Sequence, residues 1–149
     1  MYDTILVATD GSEDSAAATD HAMALAAPTG ARVHAVAVVE TRTAYDNAIV
    51  DPDEVRENLR ADAREAVDAV ARVAESAGVD CETTVDEGPP PERLLEQVEE
   101  SGADVVVLGA TGRSGFKRLV LGSTTEQLLS QSPVPVVVVG RGNESSRGA

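Results

Sequence analysis

Five short runs rich in β-branched and apolar residues recur along the chain, each separated from the next by a stretch with helical signals. They are TILVAT (residues 4–9), RVHAVAVVE (32–40), CETTVDE (81–87), ADVVVLG (103–109) and VPVVVV (134–139). Short, continuously apolar runs suit strands of a parallel sheet that helices cover on both faces. Strands alternating with helices predict an α/β fold: a three-layer α/β/α sandwich around a five-stranded, mostly parallel sheet. With 149 residues, the expectation is a single domain over residues 1–140, followed by a polar C-terminal tail, RGNESSRGA, over 141–149.

The intervening segments carry their own punctuation. Asp10-Gly11-Ser12 turns the chain, and Ser12 caps a helix with Glu13 and Asp14 in its first turn. That helix is alanine-rich and stops before Pro28 and Gly30. Pro52 opens a long helix with Val55, Leu59, Ala66, Val70, Val73 and Ala77 on one face, and Gly78 ends it. Prolines 89–91 lead into a helix with Leu94, Leu95 and Val98 that ends at Gly102. A last short helix spans 123–131. The third run is the least apolar, which places it near a sheet edge.

Net charge is −14, from 26 acidic and 12 basic residues, and Lys117 is the single lysine beside eleven arginines. So acidic a surface disfavours nucleic acid and anionic membranes as partners. Many carboxylates with almost no lysine is the surface expected of a halophilic protein, whose self-repulsion high salt screens. No apolar run reaches membrane-span length. The lone Cys81 offers no internal disulfide, and together with a start unlike a signal peptide this leads us to expect a cytoplasmic location. The charge is uneven: residues 51–104 hold seventeen acids and five bases, whereas 105–149 hold two acids and five bases. Arg113, Lys117 and Arg118 belong to that locally positive stretch.

In open α/β sheets, ligands bind at the carboxyl ends of the strands, near the switch in strand order. This directs attention to Asp10 and to the segment GATGRSGFKRLVLGSTTEQLL, residues 109–129. Gly109, Gly112, Gly115 and Gly122 let backbone N–H groups approach a ligand. The start of the last helix adds unpaired N–H groups and the hydroxyls of Ser123, Thr124 and Thr125. Phosphate matches that combination. A glycine-rich turn with Ser123 as an ordinary helix cap is the competing reading. The segment lacks Walker A spacing, and no G-x-G-x-x-G follows the first strand.

Gly109, two residues, Gly112, nine residues and then Gly122-Ser123 resembles the G-2x-G-9x-G-S/T pattern of the ATP-binding branch of the universal stress protein family. ILVATDGS near the start and SPVPVVVV near the end are similar to that family's first strand and turn and its closing strand. The resemblance spans nearly the whole chain. It implies a Rossmann-like fold of the adenine nucleotide alpha hydrolase type. It also implies a small ATP-binding regulatory protein of the stress response that works as a homodimer. By matched position, Ala8, Thr9 and Asp10 would lie against the adenosine, Val38 would offer a backbone contact to adenine, and Leu108 and Gly109 would touch the nucleoside. Gly112, Gly122, Ser123 and Thr124 would hold the phosphates, with Arg113 among the bases able to neutralise them. Ala8 stands where many relatives have proline.

Other residues carry weaker signals. Asp10 also suits a plain turn brace. A response-regulator receiver would want an acidic cluster at that turn and a lysine after the fifth strand, and the one lysine lies elsewhere. His21 and His34 lack a partner at metal-ligand spacing. Cys81 reads as a half-buried strand residue, and Tyr45 as a surface residue or a cover for the nucleotide. No catalytic set can be named, so binding is the leading function. The alternative is a slow Mg²⁺-dependent ATPase or phosphotransferase that uses the same loop. A valine-rich closing strand, from Val134 to Val139, at a sheet edge would be an aggregation hazard unless it pairs with a second copy, which fits a homodimer.

Overall fold

A computed structural model describes residues 2–40, 51–110 and 122–140. Within them the order is β1 (Thr4–Ala8), α1 (Glu13–Ala26), β2 (Arg32–Val39), α2 (Pro52–Ala77), β3 (Cys81–Glu87), α3 (Pro90–Ser101), β4 (Val105–Gly109), α4 (Ser123–Gln131) and β5 (Val136–Val139). The sheet runs β3-β2-β1-β4-β5, and every neighbouring pair is parallel. The expected α/β sandwich is therefore what forms. Strand order reverses between β1 and β4, because the chain grows outward through β2 and β3 before crossing back.

Alternation along the strands divides the core in two. Ile5, Val7, Val33, Ala35, Ala37, Val105 and Val107 face α1 and α2, where Ala18, Ala22, Val67, Val70 and Ala74 meet them. Leu6, Ala8, Val36, Val106 and Leu108 face α3 and α4, against Leu94, Val98 and Leu128. The three central strands are apolar because both faces are covered. β3 is a half-buried edge, as its composition predicts, and β5 forms the other edge.

The long helix departs from its predicted stripe at the C-terminal end. Ala66, Val70 and Ala74 are buried, whereas Val73 is exposed and Ala77 lies at the surface. At 3.6 residues per turn the buried line advances by four after Val70, not by three. Its amino-terminal half is tied to the end of β3. Arg56 donates from Nε and Nη2 to the two Glu87 carboxylate oxygens at 3.1 and 2.7 Å, and Arg60 donates to the same carboxylate. These hydrogen bonds, Arg56 first and Arg60 second, hold the Glu87 carboxyl below the usual carboxylate range.

The alanine face of α1 lets this helix lie very close to the sheet. A Cβ on Gly109 would sit 2.7 Å from Asp14 Cβ and 2.8 Å from the Asp14 carbonyl carbon. Glycine at 109 is thus required by helix-to-strand packing on the α1 face. Packing is a second demand on Gly109, beside the ligand approach expected of it. Gly109→Ala should destabilise the protein by about 1–3 kcal/mol, the usual cost of overpacking against backbone. The thermal midpoint should fall by roughly 4–10 °C, and an unchanged midpoint in calorimetry would contradict the packing argument.

On the opposite face, His34 bonds Thr84 Oγ1 through Nε2 at 2.7 Å. Burial is the main influence on its titration and pushes the imidazole below its ordinary value; the Glu82 carboxylate opposes this and Arg32 reinforces it. The unfolded chain therefore takes up a proton at His34 near the ordinary value of 6.5, before the folded chain does. Stability should drop as pH falls through that value and level off below the folded pKa. Denaturant titrations at pH 7.5 and 5.5 in constant salt should show a smaller drop for His34→Gln; an equal drop would remove His34 from the account.

Candidate functional site

Past the carboxyl ends of β1, β2 and β4, on the α3 and α4 face, lies a cleft of about 380 Å³. Ala8, Thr9, Asp10, Val38, Leu108, Gly109, Gly122, Ser123 and Thr124 all line it. The strand-order switch explains the opening, since the connections after β1 and β4 leave in opposite directions. Gly112 and Arg113, with Lys117, Arg118 and Tyr45, lie outside the described residues.

The turn after β1 is held by a compact hydrogen-bond set. Asp10 Oδ1 accepts from the Ser12 N–H at 3.0 Å and from the Ser15 hydroxyl at 2.7 Å. The Ser12 hydroxyl caps α1 by accepting from the Ser15 N–H at 3.2 Å. Gly11 takes φ +81°, a backbone shape that side chains disfavour. Asp10 therefore braces this turn and also borders the cleft. Ser15 is a cleft residue that the sequence reading passed over; its place three residues beyond Ser12, at the start of a capped helix, was the available signal.

β2 runs past the end of β1. The last bond between them joins the Thr9 N–H to the Val36 carbonyl at 2.9 Å. Val38 has the same orientation as Val36, so its N–H and carbonyl point toward the β1 side beyond that bond. A backbone donor and acceptor thus border the cleft at Val38. Val36, Val38 and Glu40 follow one another at a spacing of two along this wall, and Pro90 and Leu94 of α3 complete it. Val36, Glu40, Pro90 and Leu94 are further lining residues that motif reading missed.

At the other end stands the start of α4. Its N-cap is Gly122, at φ −66° and ψ 156° with no side-chain cap, so Ser123 is the first helical residue and not the cap. Glu126 N–H makes the first helical bond, to the Gly122 carbonyl at 3.0 Å. The amides of Ser123, Thr124 and Thr125 thus have no partner within the helix, and they carry its partial positive charge. Thr125 differs from the expectation of a ligand hydroxyl: it is buried and donates to the Gly109 carbonyl at 3.1 Å. With Gly122 N–H bonded to the Ala110 carbonyl at 3.0 Å, it pins the helix start to the end of β4.

An apolar floor, a helix start at one end and polar backbone at the other suit an elongated anionic ligand with a flat apolar part. Neither histidine belongs to the cleft. Among the described residues, no group of three or more His, Cys, Asp or Glu side chains is arranged to hold a metal ion. Cys81 is half-buried, and burial pushes its thiol up. No described helix is long and apolar enough to cross a membrane.

The universal stress protein family model matches residues 1–140. Universal stress protein MJ0531 of Methanocaldococcus jannaschii is 34% identical over 140 residues, which cover 93% of this chain and 82% of that protein. Among solved structures, that of MJ0577 from the same organism aligns with a TM-score of 0.84 at 28% identity, covering 96% of this chain and 99% of the other. A universal stress protein solved in complex with cAMP aligns with a TM-score of 0.67 at 27% identity, covering 95% and 98%. With the family match running through every strand of the sheet and the relatives sharing nearly its whole length, the chain belongs to the universal stress protein family.

Proposed function

We propose that this protein is an ATP-binding regulator of the stress response, located in the cytoplasm and working as a homodimer, whose chemistry is ligand binding and not turnover. The observation that carries the reading is the α4 start. Its first-turn amides, without a partner in the helix, border a cleft whose other lining residues match the nucleoside side of the family motif. A similar protein of the family was solved with an adenine nucleotide, cAMP. In our reading the triphosphate sits on the amides and hydroxyls at Gly122, Ser123 and Thr124. By the family motif Gly112 joins them in holding the phosphates and Arg113 is among the bases that neutralise them, while the sugar lies above Asp10 and adenine meets Val38. A Mg²⁺ ion brought in by the triphosphate would find oxygen donors in the Ser123 and Thr124 hydroxyls; it would screen the phosphate charge. Residues 141–149 are a tail outside this domain, and the acidic coat is an adaptation to high salt.

Calorimetry with ATP in high salt should show one site per chain, and Gly122→Val should weaken it about tenfold or more by crowding the amides. The Gly122 backbone conformation is one that valine adopts freely, so the variant should fold, with a thermal midpoint lowered by only a few degrees because valine caps a helix less well than glycine. Full ATP affinity in Gly122→Val, or none in the wild type, would refute the site.

The homodimer rests on the edge strand. β5 presents four half-buried valines in a row, and Leu129 stands 47% exposed on the neighbouring helix. Edge-to-edge pairing of two copies would cover both. Light scattering should give twice the chain mass, and Val137→Arg should shift it toward one; a wild-type monomer would refute the dimer.

A further inference from the structure

The cleft is polar in opposite senses at its two ends. Near β4 stand the first-turn amides of α4, with the partial positive charge of a helix start. Near β2 stands Glu40, a lining residue at the continuation of that strand. Glu40 is exposed, and no described residue forms an ion pair with it. β1, with Asp10 at its end, lies between. Two strand spacings, about 10 Å, separate β4 from β2.

A nucleotide carries phosphate at one end, sugar in the middle and base at the other end, and these parts fall in turn on β4, β1 and β2. A carboxylate accepts hydrogen bonds and repels phosphate. Glu40 therefore acts against a reversed ligand and favours an uncharged end that carries a hydrogen-bond donor. Adenine carries such a donor at the edge farthest from its sugar: the exocyclic amino group, next to the ring nitrogen N1, which accepts. The Val38 N–H, beyond the last bond between β1 and β2, is the complementary donor for that nitrogen, and the Val38 carbonyl beside it accepts one of the two amino hydrogens, leaving the second for a further acceptor.

We infer that Glu40 is the base-reading side chain of the cleft, beside the Val38 backbone, its carboxylate accepting a hydrogen bond from the exocyclic amino group of adenine. This rests on the adenine-nucleotide reading above and adds to it a determinant of specificity. Glu40 selects the amino-bearing base, while the α4 start holds phosphate of any nucleotide.

The test compares ATP with purine riboside 5′-triphosphate, which lacks only the amino group, on the full chain by calorimetry. Wild type should hold ATP about tenfold tighter, the scale of one charge-assisted hydrogen bond. Removing a negative charge shifts both affinities together, so the readout is their ratio. In Glu40→Ala the preference should fall about threefold or more below that of wild type, to the part the Val38 carbonyl supports, and Glu40→Gln, which keeps an acceptor oxygen and the side-chain length, should lose less of it. A tenfold preference surviving in Glu40→Ala overturns the inference. So does a Glu40 effect that appears only between ATP and 2′-deoxy-ATP, because that would assign the carboxylate to the sugar. Equal binding of both triphosphates by wild type removes base reading alone, whereas binding of neither removes the nucleotide site itself.

Discussion

The closeness of α1 to the sheet governs much of what surrounds the cleft. Ala18, Ala22 and Ala26 are fully buried on the helix, and Gly109 leaves room for the Asp14 backbone. With larger residues on either side the helix would stand off, and its capped start would move with it. Ser12 and Ser15 belong to that start, and they hold Asp10 through short hydrogen bonds. A packing constraint on one face of the sheet thus sets the position of a polar turn at its carboxyl edge. The Gly109 carbonyl extends the same constraint to α4, because the buried Thr125 hydroxyl bonds it.

The cleft illustrates how an acidic protein can offer a surface suited to an anion. Helix starts attract negative charge through oriented backbone groups, and this local field does not depend on the formal charge of the chain. The carboxylates are spread over the helices and the β3 edge, where water and salt screen them. Within the cleft, Asp10 and Glu40 lie on the β1 and β2 side, away from the helix start. The resulting polarity orders any ligand that is charged at one end only. Arg56 and Arg60 place their positive charge on Glu87 at the end of β3.

Much of this was legible in the residues themselves. The continuous apolar runs predicted buried parallel strands, and the weaker run at Cys81 predicted an edge. Ser12, Gly78 and Gly102 marked helix ends through the physics of caps and left-handed turns, and the structure places them there. The glycine spacing after β4 pointed to the α4 start. Its reading of Gly109 and Thr125 was chemically reasonable but incomplete, because both sit beside a ligand cleft while serving contacts between elements distant in the chain. Val73 and Ala77 show the limit of periodicity: a small error in phase, accumulated over a long helix, moves a residue from core to surface.

The chain order alone determined the class of fold, the number of strands, the helix boundaries and the two loops from which a site would be built. Those are consequences of local preference and of apolar patterning, which each segment carries within itself. Only the tertiary structure decided that Ser15, Glu40 and Leu94 share one wall space with Ser123. It likewise decided that Gly109 answers to Asp14, that Thr125 turns inward and that Val38 outruns β1. Each of these depends on the register of one strand against another and on how closely a helix approaches the sheet. Register and approach are set by the shapes of side chains that meet across the core, and no single segment contains that information.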